Sequence, residues 1–274
     1  MRIVLAVLVT SLLCGCSTVR FAYENADSYL RWKAGSYVDL DGDAAEELDD
    51  RIDEFHAWHR REQLPKYVKL VQEASQRFAG GLSRRDVVWG YDSLRAQAQE
   101  SLRKGGELAA PLLDRLEPGQ VAQIERRFGE ENRQFYRDYL RGSERERRER
   151  RAQRVVNRLE DWVGKLTQAQ VERVRQFSER APLADELRDR DRKRVQKDVL
   201  AIVRAREAQQ RLAERLAHWE RGREPAYEAA LDKWREESVA LFLDLDRMLT
   251  PEQRARALAH LRRYADDFEA LAAR

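Results

Sequence analysis

LTPEQRARALAHLRRYADDFEALAAR, residues 249–274, decides the fold class. Thr250 is placed to cap a helix, and Pro251 suits the first helical position, where its missing N–H leaves nothing unsatisfied. Gln253 can close a capping box back onto residue 250. Behind that opening Leu258, Leu261, Tyr264 and Phe268 recur at three- and four-residue steps, one narrow apolar face of a helix.

The same pattern recurs upstream. Leu166-Thr167-Gln168-Ala169-Gln170 repeats the opening in full, and Leu116-Glu117-Pro118-Gly119-Gln120 repeats it with Glu at the cap. Leu40-Asp41-Gly42-Asp43-Ala44 keeps only the Leu and a capping acid. Leu116 and Leu166 are spaced to staple onto Val121 and Val171. Apolar stripes follow at Leu48, Ile52, Phe55 and His59, at Val121, Ile124, Phe128 and Phe135, and at Val195, Val199, Ile202 and Val203. Charged residues make up 37% of the chain against 13 Gly and 6 Pro, and alternating β-branched runs are missing. The expectation is an all-α protein, an elongated antiparallel helical assembly. It forms either one domain over 39–274 or two related helical-hairpin units, 39–158 and 159–274.

Two internal registers compete. Leu40 and Leu166 stand 126 residues apart, and Leu116 and Leu249 stand 133 apart, so a duplication in this register requires an insertion. Trp58-His59-Arg60 with Pro65 and Tyr67 also resembles Trp219-Glu220-Arg221 with Pro225 and Tyr227, at an offset near 160.

The N-terminus points to a compartment. Arg2 precedes an apolar run, Ile3 to Leu13, too short to span a bilayer, and the run ends in Leu13-Cys14-Gly15-Cys16. This resembles a lipobox, which implies a signal peptide over 1–15 and acylation of Cys16. Residues 16–38 would then be the lipidated N-terminus, a tether and a first short helix. The competing reading is a plain secreted protein cleaved elsewhere. Ser17 rather than Asp after the anchor implies the periplasmic face of the outer membrane. The chain has only 2 Cys, so a mature chain starting at Cys16 has no thiol left for a disulfide, a metal or catalysis.

Two family resemblances follow from residues already quoted. The Leu-Thr-x-x-Gln openings resemble the motif of the small periplasmic helical proteins of the Spy and CpxP type. Tyr23-x-Asn25-x-Asp27, Tyr37-Val38-Asp39-Leu40 and Trp58-His59-Arg60-x₃-Leu64-Pro65-x-Tyr67 resemble a family of proteobacterial lipoproteins known only as a domain of unknown function. Position 43–44 holds Asp-Ala where that pattern suggests Gln. The second resemblance implies a helical envelope lipoprotein and brings no activity with it.

Candidate sites are few. Asp53, His56 and His59 share a helix face at metal-ligand spacing, but no nearby His or Cys completes the set, and His218 and His260 stand alone. Trp58, His59, Arg60, Pro65 and Tyr67 form either a recognition surface or a packed corner where Pro65 starts a new helix. Trp32, Trp89, Trp162, Trp219 and Trp234 read as bundle filling. Arg141 to Arg158 carries eight Arg against three Glu. Arg147, Arg148, Arg150 and Arg151 are there either as an interaction surface or as a solvated face with Glu144–Arg148 and Glu146–Arg150 pairs. Gly-x-Ser-x-Gly, phosphate-loop and His-Glu-x-x-His patterns are missing. No cofactor, nucleic acid or small-molecule substrate is implied. The functional expectation is a non-enzymatic lipoprotein, held on the membrane by its lipid, that binds unfolded or stress-related proteins. The alternative is an assembly accessory with one dedicated protein partner.

Overall fold

The computed structural model describes residues 18–274, and every regular element in that span is helical, as composition and periodicity predict. The signal segment and Cys16 lie outside the described residues. Helices α1 (Thr18–Glu24) and α2 (Ala26–Gly35) precede α3 (Gly42–Trp58), which continues through a π turn, His59–Gln63, into α4 (Leu64–Ala79). Then come α5 (Arg84–Leu113) and α6 (Pro118–Phe135), with a second π turn at Tyr136–Leu140. The remainder is α7 (Glu144–Val163), α8 (Gln168–Arg180), α9 (Asp185–Arg204), α10 (Ala208–Ala217), α11 (Pro225–Met248) and α12 (Pro251–Ala272). The openings read from the sequence are capped as expected: Thr167 with Gln170 and Thr250 with Gln253 both form complete capping boxes.

The helices pair antiparallel. Along α5 and α10, Arg103 meets Glu214 and Asp114 meets Ala208. Gly106 permits that approach, since a Cβ there would stand 2.8 Å from the Ala213 Cα. Along α4 and α12, Tyr67 lies beside Phe268, and Arg254 donates to the Phe78 carbonyl at 2.8 Å. Along α6 and α9, Arg204 pairs with Glu125, and Asn132 donates to Gln196 at 2.9 Å.

A twofold repeat organises these pairs. The order α2–α3–α4–α5–α6 recurs as α7–α8–α9–(α10, α11)–α12, with α3 packed on α5 as α8 is on α11. The two sets exchange a helix: α4 of the first packs on α12 of the second, and α9 of the second on α6 of the first. The turn that follows each exchanged helix is held by a buried aspartate from the other set. Leu82 N–H donates to Asp246 at 2.9 Å, and Ala208 N–H donates to Asp114 at 2.6 Å. Leu82 and Ala208 stand at the 126-residue spacing, so these bonds follow the first register and not the one near 160. The extra length falls at 218–224, a turn that separates α10 from α11 where α5 runs unbroken.

An apolar cluster sits at the helix openings of each set, and in the first it is completed by α9 of the other set. Leu116, Val121 and Ile124 close on Leu200 and Val203, with Leu40 alongside. Val163, Leu166, Val174 and Phe177 close on Leu241 and Leu245, with Leu249 alongside. Not every tryptophan fills the bundle as composition suggests: Trp32 is 65% exposed and Trp234 38%.

Candidate functional site

The Leu-Thr-x-x-Gln openings meet each other. Gln170 and Gln253 exchange two side-chain hydrogen bonds, at 2.8 and 3.0 Å, each amide donating to the other's oxygen. Gln170 also donates to the Met248 carbonyl and Gln253 to the Lys165 carbonyl, both at 3.0 Å. Each Gln oxygen accepts from the backbone N–H of its own capping Thr. Both glutamines are buried, so this clasp joins two helix starts in a dry, fully bonded network. The first set carries half of the same device. Gln120 accepts from Glu117 N–H at 3.0 Å and donates to the Asp39 carbonyl at 3.1 Å. Asp39 precedes Leu40 as Lys165 precedes Leu166, and Ala44 stands where a reciprocal Gln would sit. These motifs therefore act as structural joints.

The Trp58–Tyr67 corner is packed inward. The His59 ring lies among Tyr23, Phe55, Trp58 and Tyr67, with centroids between 5.5 and 6.2 Å. His59 Nδ1 and the Tyr23 hydroxyl share a hydrogen bond at 3.1 Å. Burial, and secondarily the nearby His56, hold the His59 imidazole down to about 4, and burial pushes the Tyr23 phenol up to about 12. Arg60 lies over the Tyr23 ring, while Pro65 opens α4 on the exposed side. His56 turns to the Tyr23 carbonyl and Asp53 to Arg31, so the three groups spaced for a metal diverge. Among the described residues no group of three His, Cys, Asp or Glu is placed to hold a metal ion.

The arginine run is also engaged internally. Arg148 donates to the Ser178, Glu179 and Ala181 carbonyls at 2.8–3.0 Å, and Arg151 to the Ser178, Ala181 and Pro182 carbonyls. Together they cap the C-terminus of α8, whose last carbonyls lack helical partners. Burial lowers Arg151 to about 10. Arg147, 8% exposed, pairs with Glu186, and Arg150 donates to the Arg141 carbonyl. The i,i+4 pair found is Arg145–Glu149 rather than Glu144–Arg148. These four arginines do not present a free basic surface.

The concave apolar ground lies elsewhere. Leu82 and Phe242 stand between two adjoining cavities of about 360 and 330 Å³. One is walled by Phe78, Trp162 and Leu261, the other by Val87, Trp89 and Tyr91. Tyr91, Leu94, Trp234 and Phe242 on this face are 38–60% exposed. Ion pairs border it, Arg235–Asp92 at 2.8 Å and Arg84–Glu236 at 2.6 Å. No sequence motif marks these residues. Their only local signals are the apolar runs Val87-Val88-Trp89 and Leu241-Phe242-Leu243.

The chain belongs to a family of unknown function, DUF6279, whose pattern matches residues 36–227. That span holds the Trp58–Tyr67 corner, the half clasp and the arginine run, and it ends before α12. No curated protein and no solved structure matches the chain.

Proposed function

We propose that this chain is a non-enzymatic envelope lipoprotein, held by an acylated Cys16 on the periplasmic face of the outer membrane, that binds apolar segments of partly unfolded proteins. The observation that carries the reading is the divided apolar groove around Leu82 and Phe242, open to solvent and edged by ion pairs. An exposed apolar strip with a charged rim suits unfolded chains, which offer apolar side chains without a fixed shape. The Spy-like kinship suggested by the Leu-Thr-x-x-Gln openings is compatible with this and adds the same class of partner. A dedicated-partner scaffold would be favoured by a shaped patch at the Trp58–Tyr67 corner, whose rings instead pack on one another.

The test uses the chain from Ser17 onward at stoichiometric ratio with a thermally unfolding client, read by light scattering. Suppression is expected, and it persists at high salt because the groove rather than the arginines does the binding. Phe242→Asp and Trp234→Asp abolish it. No suppression in the parent chain sinks the client-binding reading and leaves the scaffold. The anchor is tested apart: labelled palmitate enters the full chain and does not enter Cys16→Ser.

A further inference from the structure

Six of the exposed residues from α1 to α2, Phe21, Ala22, Asn25, Ser28, Tyr29 and Trp32, fall on one stripe at steps of one, three and four, with the exposed Glu24 and Gly35 at its edge and Thr18 at its start. Asn25 interrupts the helix without turning the stripe, since its N–H still bonds to the Phe21 carbonyl and its carbonyl accepts from Tyr29. None of the six is charged, in a chain whose residues are 37% charged. Phe21, Tyr29 and Trp32 are 63, 58 and 65% exposed, the Tyr29 and Trp32 rings 5.7 Å apart.

Charge in these helices is directed away from the stripe. Arg20 pairs with Asp267 at 2.6 Å and Lys33 with Glu131 at 2.8 Å, while Arg31 reaches Asp27, Asp49 and Asp53. Glu24 at the margin is taken by Arg274. An uncharged face with three aromatic rings and small polar residues between them has the composition of a helix lying at a lipid–water boundary. Among the described residues no helix is long and apolar enough to cross a membrane, so such a face would lie on the bilayer rather than through it.

We propose that the Phe21–Tyr29–Trp32 face of α1 and α2 seats in the headgroup region of a largely uncharged lipid surface and fixes the orientation of the protein on it. The choice of a lipid occupant rests on the proposed acylation of Cys16. Thr18 is two residues from that cysteine, a reach of at most about 7 Å, so an acylated chain has α1 at the bilayer surface. With Arg20, Arg31 and Lys33 of these helices already paired, the contact is apolar and interfacial, and salt does not weaken it.

Full-length protein is reconstituted into phosphatidylcholine–phosphatidylethanolamine vesicles with brominated acyl chains, and tryptophan quenching is compared with that of Trp32→Phe. Intact mass reports acylation in the same samples. Quenching of the parent protein, lost for the most part in Trp32→Phe and unchanged at high salt, supports the face. Its return in Trp32→Phe with Phe21→Trp supports it further. Equal quenching in parent and Trp32→Phe overturns the face, whatever the mass. An unacylated mass overturns the anchor alone, and the quenching difference still decides the face. Both positions are exposed, so the substitutions leave packing intact.

Discussion

The two joints at 166–170/249–253 and 39–44/116–120 are built on one plan and differ in completeness. In the second set two buried glutamines bond to each other, to two backbone carbonyls and to two cap N–H groups. In the first, a single half-exposed Gln120 makes the equivalent bonds on one side, and Ala44 leaves the other side bare. The junctions between the second and third helical segments of each set differ too. α3 passes into α4 through a continuous π turn around His59, whereas α8 stops and its carbonyls are taken up by Arg148 and Arg151. A repeated topology thus tolerates different local chemistry, provided every orphaned backbone group finds a partner.

The comparison can be broken most sharply at the closed clasp. Gln170→Ala leaves the Met248 carbonyl and the Thr167 N–H without partners in a dry site and strips the Gln253 amide of its mutual bonds, and should lower stability by about 3 kcal/mol in urea unfolding. Gln170→Ala with Gln253→Ala should cost less than the sum of the two single changes, because the bonds between the two amides are lost in each of them. Next in size is the α8 terminus. Arg151→Met keeps the stem and removes the charge-assisted bonds, at a cost of about 2–3 kcal/mol by the same measurement.

The His59 turn gives a pH signature that the arginine-capped joint lacks. The folded imidazole titrates at about 4 against 6.5 in the unfolded chain, so the unfolded state takes up the proton first. The stability contributed by neutral His59 is complete above the unfolded value and is lost as pH falls from there towards the folded one, by ~2 kcal/mol after screening. His59→Gln should flatten that part of the pH profile. The open clasp yields the smallest effects. Gln120→Ala should cost about 1 kcal/mol. Ala44→Gln, which supplies the missing reciprocal amide, should add a few tenths of a kcal/mol, seen as a rise in Tm. If Ala44→Gln instead destabilises, the two joints do not share one plan.

What could be read in advance was local. Thr167, Thr250 and their glutamines announce helix starts because a capping box is closed within four residues. That the two glutamines meet across 83 positions is a tertiary fact, invisible to spacing. Arg148 and Arg151 look like solvated positive charge because the carbonyls they satisfy lie about thirty residues downstream. Trp32 and Trp234 depart from the expectation of bundle filling, which follows from aromatic residues being usually covered. For Trp32 the uncharged stripe around it is a sequence signal that composition alone passes over. The groove at Phe242 is assembled from five helices, and no short motif encodes such a place.

The exchange of α4 and α9 also has a consequence in time. In a chain that emerges N-terminus first, α4 is available before α12, which covers it. α6 likewise waits for α9. Each half must keep an apolar flank uncovered until the other arrives, and the last closure joins the N-terminal third to the final helix. Contacts of such long sequence separation slow folding and lengthen exposure to aggregation. For this molecule a stop codon placed before α12 does more than shorten a bundle: it leaves the chain with no way to close.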